Sequence, residues 1–260
     1  GKIFNEMDIF GFCLGFLEFQ ESWAVSGITW AADSGAKVTN SSWGGGSPLS
    51  AITNAFNTTR AAGVFHVAAA GNDGSTTIGW PGNLDSLIAV AAMSSNGTLA
   101  SFSTHGSGLF ISAPGEGIRT TDRSGGDGYD SGNTVTIDGT SFASPYTAGV
   151  VALLLSVDSS LTPDQIEEIL SSTAVDYGSS GYDTTFGYGF INALNALEAV
   201  GGGQPCVGDV DGDEVVGVSD LLAVVDAWGA CSGCNADVDG DGTVGVSDIL
   251  AVVDAWGTCS

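Results

Sequence analysis

The sequence predicts an α/β fold in which helices cover both faces of a parallel sheet, followed by a small α-helical module. Continuous apolar runs of strand length at 64–70, 87–93 and 109–113 favour strands that are buried on both faces. Segments with helical spacing lie between these runs, and this alternation indicates a parallel sheet. Near the C-terminal end a stretch of loop and helix recurs after 28 residues, which indicates a separate module of two calcium loop–helix repeats.

The predicted elements alternate along the first 200 residues. Helices are predicted over 22–34, 48–62, 147–157, 163–170 and 191–200, with a further strand over 36–43. Gly35 and Gly63 follow the first two helices, at the position where glycine commonly ends a helix. Thr162 and Gln165 form a capping box with Pro163 at the first helical position, which predicts the start of the fourth helix.

Three segments follow from these patterns. Residues 1–200 are predicted to form one domain, 201–205 a linker and 206–260 the module. The linker reads Gly-Gly-Gly-Gln-Pro, so flexible glycines precede a stiffer end. Inside the first domain, residues 121–134 are rich in Gly and Asp and are expected to form a mobile surface loop.

The charge balance excludes several classes of partner. The chain has 30 acidic and 5 basic residues, which give a formal net charge of −25. Nucleic acids and anionic membrane surfaces are therefore not expected to bind it. We also expect no membrane span, because no apolar run has the required length. No secretory leader is visible in the sequence either.

The stretch with the most chemical content is Gly139-Thr140-Ser141-Phe142-Ala143-Ser144-Pro145. The apolar run that follows places Ser141 at or just before the first turn of a buried helix, where Pro145 is tolerated. Unpaired N–H groups and the positive end of the helix dipole favour an oxyanion beside this hydroxyl. In isolation, such a serine is more often a helix N-cap without chemistry.

The stretch is not isolated, because four segments in the same order resemble those of the subtilisin-like serine peptidases. They are 139–145, the nucleophile segment; 37–45 (KVTNSSWGG), the strand beside the substrate cleft; 67–72 (VAAAGN), which supplies the oxyanion asparagine; and 186–193 (FGYGFINA), before the last helix. The resemblance covers residues 1 to about 200. It implies a subtilisin-like fold and hydrolysis of peptide bonds in a protein or peptide substrate.

The resemblance also implies roles for individual residues. Ser141 would be the nucleophile, and the Asn72 amide would join the Ser141 backbone N–H as oxyanion donors. Ser42, Trp43 and Gly44 would pair with the substrate backbone, with Gly71 beside them. Trp43 stands where a smaller apolar residue is usual, so it bears on the side-chain preference.

The orienting acid and the base of such a peptidase precede these segments, and no residue here matches them. Asp33 imitates the acid motif in letters but ends a predicted helix, His66 lies inside a strand, and His105 lies in a surface turn. We expect none of the three to act in a triad. Lys2-Ile3-Phe4 resembles the end of the strand after the histidine helix, so the sequence is expected to start inside a domain. This chain alone is therefore predicted to be inactive.

The C-terminal repeats predict two calcium sites. Carboxylates at loop positions 1, 3, 5 and 12, with a carbonyl at position 7, surround a hard cation with oxygen. The predicted ligands are Asp209, Asp211, Asp213, Val215 and Asp220 in the first loop and Asp237, Asp239, Asp241, Thr243 and Asp248 in the second. Position 6 is Glu214 in the first loop and Gly242 in the second. Because a tight turn there favours glycine, the first site is predicted to be weaker.

Each loop leads into one helix and none precedes it, so residues 206–260 resemble the dockerin type I module. A dockerin binds a cohesin module, so the resemblance implies a cohesin-like partner on a scaffold or cell surface. An acidic disordered tail is the alternative, but both repeats carry a Trp and a matched apolar helix face.

Four of the five cysteines lie in this module, at Cys206, Cys231, Cys234 and Cys259. Their symmetric spacing favours disulfides and an extracellular location, either secreted or attached to the cell surface. A zinc site at the Cys-x-x-Cys is the runner-up, but it lacks a second pair of ligands.

Two functions from different classes are consistent with these observations. The first is a secreted serine endopeptidase tethered through its calcium-binding module. The second is a secreted, non-catalytic, calcium-dependent binding protein in which the peptidase domain is a relic. The presence of both Ser141 and Asn72 favours the first.

Overall fold

The computed structural model describes residues 4–9, 12–125, 128–129, 131–201, 207–213, 215–231 and 233–258. The chain divides into two compact units, Gly1–Ala196 and Leu197–Ser260. The division falls inside the last helix of the predicted first domain. The predicted linker residues 202–205 lie outside the described residues.

The predicted helices and strands occur in the predicted order; the first three predicted strands are shorter than expected, and the fourth is one residue longer. The helices are α1 (Glu21–Asp33), α2 (Ser50–Ala61), α3 (Thr140–Val157), α4 (Pro163–Thr173), α5 (Ala193–Ala199), α6 (Val218–Asp226) and α7 (Val246–Asp254). The longer strands are β1 (Phe4–Ile9), β2 (Phe12–Phe19), β3 (Val38–Ser41), β4 (Phe65–Ala69), β5 (Ile88–Met93), β6 (Leu109–Pro114), β7 (Ile118–Thr121) and β8 (Thr134–Ile137). The two-residue strands are β9 (Val215–Val216), β10 (Gly229–Ala230), β11 (Thr243–Val244) and β12 (Gly257–Thr258).

The predicted parallel sheet is confirmed, with the strand order β3-β4-β5-β6. All three pairings are parallel, with Asn40 opposite Val67 and Val67 opposite Ile88. Every residue of β5 is buried, as its uninterrupted apolar sequence predicts. The carboxyl ends of these strands therefore lie along one edge of the sheet, which is where α/β folds place ligands.

Two antiparallel pairs were not predicted. Strand β1 pairs with β2, so Phe4 begins a strand of a separate two-stranded sheet and does not end a strand of the parallel sheet. The aromatic residues and valines or isoleucines in such runs favour extended backbone in either setting, so propensity does not choose the partner. Strand β7 pairs with β8 and flanks most of the predicted loop at 121–134.

Helix α3 packs on all four strands of the parallel sheet. It has 18 residues and a mean hydropathy of 1.4, so length and composition alone would allow it to cross a membrane, against the sequence expectation of no such segment. Its buried residues, among them Val150, Val151 and Leu154, face the strands, and this contact identifies it as a core helix.

The opposite face of the sheet carries α1 and α2. Ala24, Ile52 and Phe56 of these helices pack with Ala68 of β4 in one buried cluster. Because side chains alternate along a strand, His66 points to the same side as Ala68, and its ring lies 5.0 Å from the ring of Phe56. Helices therefore cover both faces, as predicted.

The segment before α5 docks on β6, as the sequence resemblance implied. The Ser112 N–H donates to Gly189 O, and the Ile191 N–H donates to Ser112 O, both at 2.9 Å. A Cβ atom on Gly187 would lie 2.3 Å from Phe110 O of β6, so only glycine allows this approach.

The second unit is built from two similar halves. A buried cluster of Val216, Val224, Ala236, Val244 and Val252 joins the strands and helices of both repeats. Strand β9 of the first loop pairs with β12, and β11 of the second loop pairs with β10. Each loop is thus held by the segment that follows the helix of the other repeat.

Candidate active site and cation loops

One cleft in the first unit brings together all six residues that the sequence predicted for catalysis and substrate binding. It has a volume of about 380 Å³ and opens at the carboxyl ends of β3 and β4 and the start of α3. The predicted residues on its wall are Ser42, Trp43, Gly44, Gly71, Asn72 and Ser141. They come from positions 42 to 141, so only the parallel sheet places them side by side.

The Asn72 amide is held in one orientation by Thr140. The backbone N–H and the hydroxyl of Thr140 each lie 2.8 Å from Asn72 Oδ1. Because a backbone N–H can only donate, the atom facing it must be the amide oxygen, and Nδ2 points the other way. In the described part of the chain, Nδ2 donates to no protein group.

Both predicted oxyanion donors border the same small space. A Cβ atom on Gly139 would lie 3.6 Å from Asn72 Nδ2 and 3.6 Å from Ser141 N. Ser141 is the second residue of α3, so its N–H is one of those that a helix leaves without an internal acceptor. Two N–H donors that have no acceptor among the described residues therefore lie close together at the helix N-terminus that carries Ser141.

Hydrogen bonds from β3 fix the first turn of α3. The Ser42 hydroxyl donates to Ser141 O at 2.8 Å and accepts from Asn40 Nδ2 at 2.9 Å. The Ser144 hydroxyl donates to Asn40 Oδ1. The strand expected to bind substrate is thereby connected directly to the serine.

Thr140 is a residue of the site that the sequence reasoning missed. Its side chain is fully buried, and its hydroxyl accepts from the Gly71 N–H at 3.2 Å as well as donating to Asn72. A Cβ atom on Gly71, whose φ is +123°, would lie 2.8 Å from Thr104 Oγ1. The motif Gly139-Thr140-Ser141 contained this residue, but its contact with Asn72 joins positions that are 68 apart in the chain.

The cleft also carries a carboxylate that the sequence did not predict. The Thr104 hydroxyl donates to Asp73 Oδ1 at 2.5 Å, and the Ser75 N–H donates to the same oxygen at 3.2 Å. The Thr104 bond is the larger cause of a pKa of Asp73 below its ordinary value. Asp73 therefore contributes a negative charge to the cleft at neutral pH.

Trp43 packs into the core at the wall of the cleft. Its ring lies 6.4 Å from Phe56, nearly parallel, and 5.7 Å from Trp80, edge to face. Both partners belong to the buried cluster beneath α1 and α2. This packing explains how a large residue fits at a position where a smaller one is usual.

Neither histidine contacts the serine. His66 is fully buried, and its ring nitrogens bond to the hydroxyls of Thr39 at 2.6 Å and Thr59 at 2.9 Å. Burial, with the positive charge of Arg60 as a second cause, lowers the pKa of His66 to about 4. His105 is only partly exposed, and its Nδ1 lies 3.3 Å from Ser103 O. Asp33 is the last residue of α1, as expected.

The first cation loop brings all four predicted aspartates together. Carboxylate oxygens of Asp209, Asp211, Asp213 and Asp220 lie within 4.8 Å of one another. Asp220 is fully buried at the start of α6, where it accepts from the N–H groups of Val210 at 2.7 Å and Gly217 at 2.8 Å. Burial raises the pKa of Asp220, but these N–H donors outweigh it and keep the pKa below its ordinary value.

The second loop repeats this arrangement with two differences. Oxygens of Asp237, Asp239 and Asp248 lie within 4.8 Å of one another, and Asp241 lies outside this group. Asp241 Oδ1 instead accepts from the Thr243 N–H at 2.8 Å. Asp237 Oδ1 is buried and has no hydrogen-bond partner among the described residues. A buried carboxylate oxygen without a donor is costly, and a bound cation would satisfy it.

The position-6 residues are only partly described. Gly242 has a φ of +88°, a conformation that residues with a side chain rarely adopt. Glu214 lies outside the described residues, so the predicted weakness of the first loop stays a prediction. The carbonyl positions Val215 and Thr243 begin β9 and β11.

The predicted disulfide chemistry is confirmed at one pair, Cys231 and Cys234, whose Cα atoms are 6.1 Å apart. This bridge engages both sulfurs that a zinc site at the Cys-x-x-Cys would need. Cys206 and Cys259 lie outside the described residues.

Comparison with known proteins agrees with this geometry. The model of the subtilase family, peptidase S8, matches residues 6–189. Subtilisin DY of Bacillus licheniformis is 44% identical over 178 residues, 67% of this chain and 61% of that protein. A subtilisin of Bacillus pumilus is 38% identical over 183 residues, 69% of this chain and 63% of that protein. The chain belongs to the subtilase family.

Solved structures show the same fold. A protease of Pseudoalteromonas arctica PAMC 21717 superposes with a TM-score of 0.63 and 35% identity, over 70% of this chain and 59% of that one. The prenylagaramide maturation protease PagA superposes with a TM-score of 0.63 and 28% identity, over 74% and 72%. The chain spans about half to three fifths of the length of the curated relatives that it matches.

Proposed function

We propose that this chain is part of a secreted serine endopeptidase in which Ser141 is the nucleophile. The observation that supports this most directly is the space shared by Asn72 Nδ2, Ser141 N and the start of α3. A tetrahedral intermediate carries its negative charge on one oxygen, and two preorganised N–H donors stabilise that charge more than the neutral carbonyl.

The base and its orienting acid are proposed to come from residues outside this chain. His66 is held by two threonine hydroxyls inside the sheet, and His105 bonds to a carbonyl of its own turn. Without a base the Ser141 hydroxyl keeps its proton and is a weak nucleophile. We expect the 260 residues alone neither to hydrolyse casein nor to react with a fluorophosphonate probe at Ser141.

The substrate is proposed to be a peptide in extended conformation. Ser42, Trp43 and Gly44 follow β3 at the edge of the parallel sheet and line the cleft, so a peptide can pair with them as a further strand. Asp73 on the cleft wall and the net charge of −25 disfavour acidic side chains near the scissile bond.

The test is hydrolysis of casein by the longest natural polypeptide that contains these residues, with Ser141→Ala as its partner. We expect the substitution to lower kcat by about 10⁶, a magnitude taken over from subtilisin itself. Hydrolysis that survives Ser141→Ala would refute the role of this serine. No hydrolysis by the unsubstituted polypeptide, together with no probe labelling, would favour the relic binding protein.

The second unit is proposed to bind two calcium ions and to resemble a dockerin in tethering the enzyme to a cohesin-like partner. The converging carboxylates repel one another unless a cation is present, and Asp237 Oδ1 has no other partner. Apolar residues remain exposed in matched positions of α6 and α7, with Leu222 and Leu250 both 56% exposed. Such a repeated apolar face is suited to a protein partner. Calorimetry on the full chain should show two calcium binding events, and the absence of heat would contradict this proposal.

A further inference from the structure

The disulfide of the second unit lies between the two repeats, beside the second cation loop. Cys231 directly follows β10, which belongs to the end of the first repeat. Cys234 precedes Asp237, the first predicted ligand of the second loop, by three residues. Both cysteines pack against the buried cluster that joins the repeats.

Two backbone hydrogen bonds connect this bridge to positions 1 and 6 of the second loop. The Cys231 N–H donates to Gly242 O at 3.1 Å, next to the position-7 residue Thr243. The Asp237 N–H donates to Cys234 O at 3.2 Å. The covalent S–S bond closes the ring, because it joins Cys231 to Cys234. The bridge therefore connects positions 1 and 6 of the loop, which are also joined directly where the Gly242 N–H donates to Asp237 Oδ2 at 2.9 Å.

We propose that the Cys231–Cys234 disulfide holds the second loop in its cation-binding geometry, so that reduction of this bridge weakens calcium binding there. The inference rests on the proposed calcium function. Calcium needs its oxygen ligands at defined distances. A loop whose positions 1 and 6 move independently must therefore lose more conformational entropy when calcium binds. The bridge fixes the distance between two backbone groups. They are the Cys231 N–H, which donates to Gly242 O, and the Cys234 carbonyl, which accepts from the Asp237 N–H.

The switching step needs a dithiol reductant. Its thiolate attacks one sulfur of the bridge and forms a mixed disulfide, and its second thiol then closes the reductant into its own disulfide. Two electrons and two protons pass to the protein, which gains two thiols. Both cysteines are partly exposed, so a small dithiol has access to the bridge.

The first loop provides the internal comparison. Its ligand Asp209 holds its own turn, since Oδ1 accepts from the N–H groups of Gly212 at 2.8 Å and Asp213 at 3.1 Å. Asp237 accepts only one such bond, from the Gly242 N–H to Oδ2 at 2.9 Å, and its Oδ1 has no partner among the described residues. The geometry of the second loop therefore depends more on the Cys231–Cys234 bridge. Reduction of this bridge should affect the second loop selectively.

The experiment is calcium titration by calorimetry on the full chain in two backgrounds. Asp209→Ala leaves the second loop to be measured, and Asp237→Ala leaves the first. Cys231→Ser with Cys234→Ser should weaken the second loop about tenfold and change the first less than about twofold. The matched control, Cys206→Ser with Cys259→Ser, removes as many thiols and should leave the second loop unchanged. Dithiothreitol should reproduce the loss at the second loop, and reoxidation should restore it.

The outcomes separate this inference from the calcium proposal. An absence of calcium heat in the oxidised, unsubstituted chain would overturn the calcium assignment and this inference together. Two binding events that do not change on reduction would overturn the inference alone. Equal weakening of calcium binding at both loops by the Cys231 and Cys234 substitutions would show that the bridge stabilises the whole unit. That result would also overturn the inference. Helicity in the far-ultraviolet without calcium checks that the substituted chain is folded.

Discussion

The candidate active site and the cation loops differ in the sequence separation of the residues that hold their polar groups in position. In the first unit the key contacts join residues 68 and 99 positions apart, as in Asn72 with Thr140 and Ser42 with Ser141. In the second unit each buried aspartate bonds to N–H groups within ten residues of itself, as Asp220 does to Val210 and Gly217. The first site is neutral apart from Asp73, and the second is dense in negative charge.

The two sites therefore depend on different interactions for their geometry. The candidate oxyanion donors are held by the sheet and α3, so they are in place without any ligand, as the proposed transition-state stabilisation requires. The cation loops gather like charges at short range, so they gain their stability from whatever cation they bind.

The sharpest test of the preorganised site is Asn72→Ala in the longest natural polypeptide containing the chain. We expect kcat to fall by about 10² to 10³ with little change in KM, because the amide acts mainly on the transition state; the range is the one known for subtilisin. Steady-state kinetics on a peptide substrate would measure it. Asn96→Ala, at an exposed turn, is the matched control, and an unchanged kcat in Asn72→Ala would reduce Asn72 to a turn residue.

The buried histidine predicts how the first unit responds to acid. Because burial lowers the pKa of His66 to about 4, the unfolded chain binds a proton near pH 6.5 and the folded chain resists it. Stability is therefore full above pH 6.5 and falls by up to about 3 kcal/mol as pH drops to about 4.

Denaturant unfolding of the first unit at several pH values would measure this loss. His66→Gln should make the free energy of unfolding nearly the same at pH 7 and pH 4, as far as this histidine contributes. His105→Gln is the control for the loss of a histidine. A parallel pH profile for His66→Gln and the unsubstituted chain would contradict the assignment.

Thr140→Val tests the residue that orients Asn72. Valine keeps the shape but removes the hydroxyl that donates to Asn72 and accepts from the Gly71 N–H, while the backbone N–H bond to Asn72 remains. We expect kcat to fall about tenfold, in keeping with about 1–2 kcal/mol for a hydrogen bond that leaves a buried group unpaired. Thr147→Val, also buried in α3, bonds only to Ala143 O and should leave kcat unchanged.

The smallest effect concerns the two cation loops, and it should change order with calcium. Without calcium, Asp209→Ala should cost more stability than Asp237→Ala, by about 1 kcal/mol, because the Asp209 carboxylate accepts two N–H groups and the Asp237 carboxylate accepts one. With saturating calcium, Asp237→Ala should be the more damaging if Glu214 already weakens the first loop. Thermal melts of the full chain with and without calcium would show the crossing, and the same order in both conditions would contradict it.

The sequence alone was sufficient for the parts of this protein that depend on neighbouring residues. The apolar runs at β4, β5 and β6, the capping box at Thr162 and the aspartate spacing of both loops are local patterns, and the structure has the predicted elements at these positions. Ser141 and Asn72 were predicted from segments that resemble those of the subtilisin-like peptidases, and these segments are short local patterns.

Tertiary structure decided what depends on distant residues. The pairing of β1 with β2, the role of Thr140 and the packing of Trp43 between Phe56 and Trp80 follow from contacts across the fold, which periodicity does not encode. The position of Asp241 outside the second group is likewise seen only in the structure, because its bond to the Thr243 N–H has a counterpart between Asp213 and the Val215 N–H in the first loop. Spacing along the chain selects which residues lie on one loop or helix face, but only packing selects which of them touch.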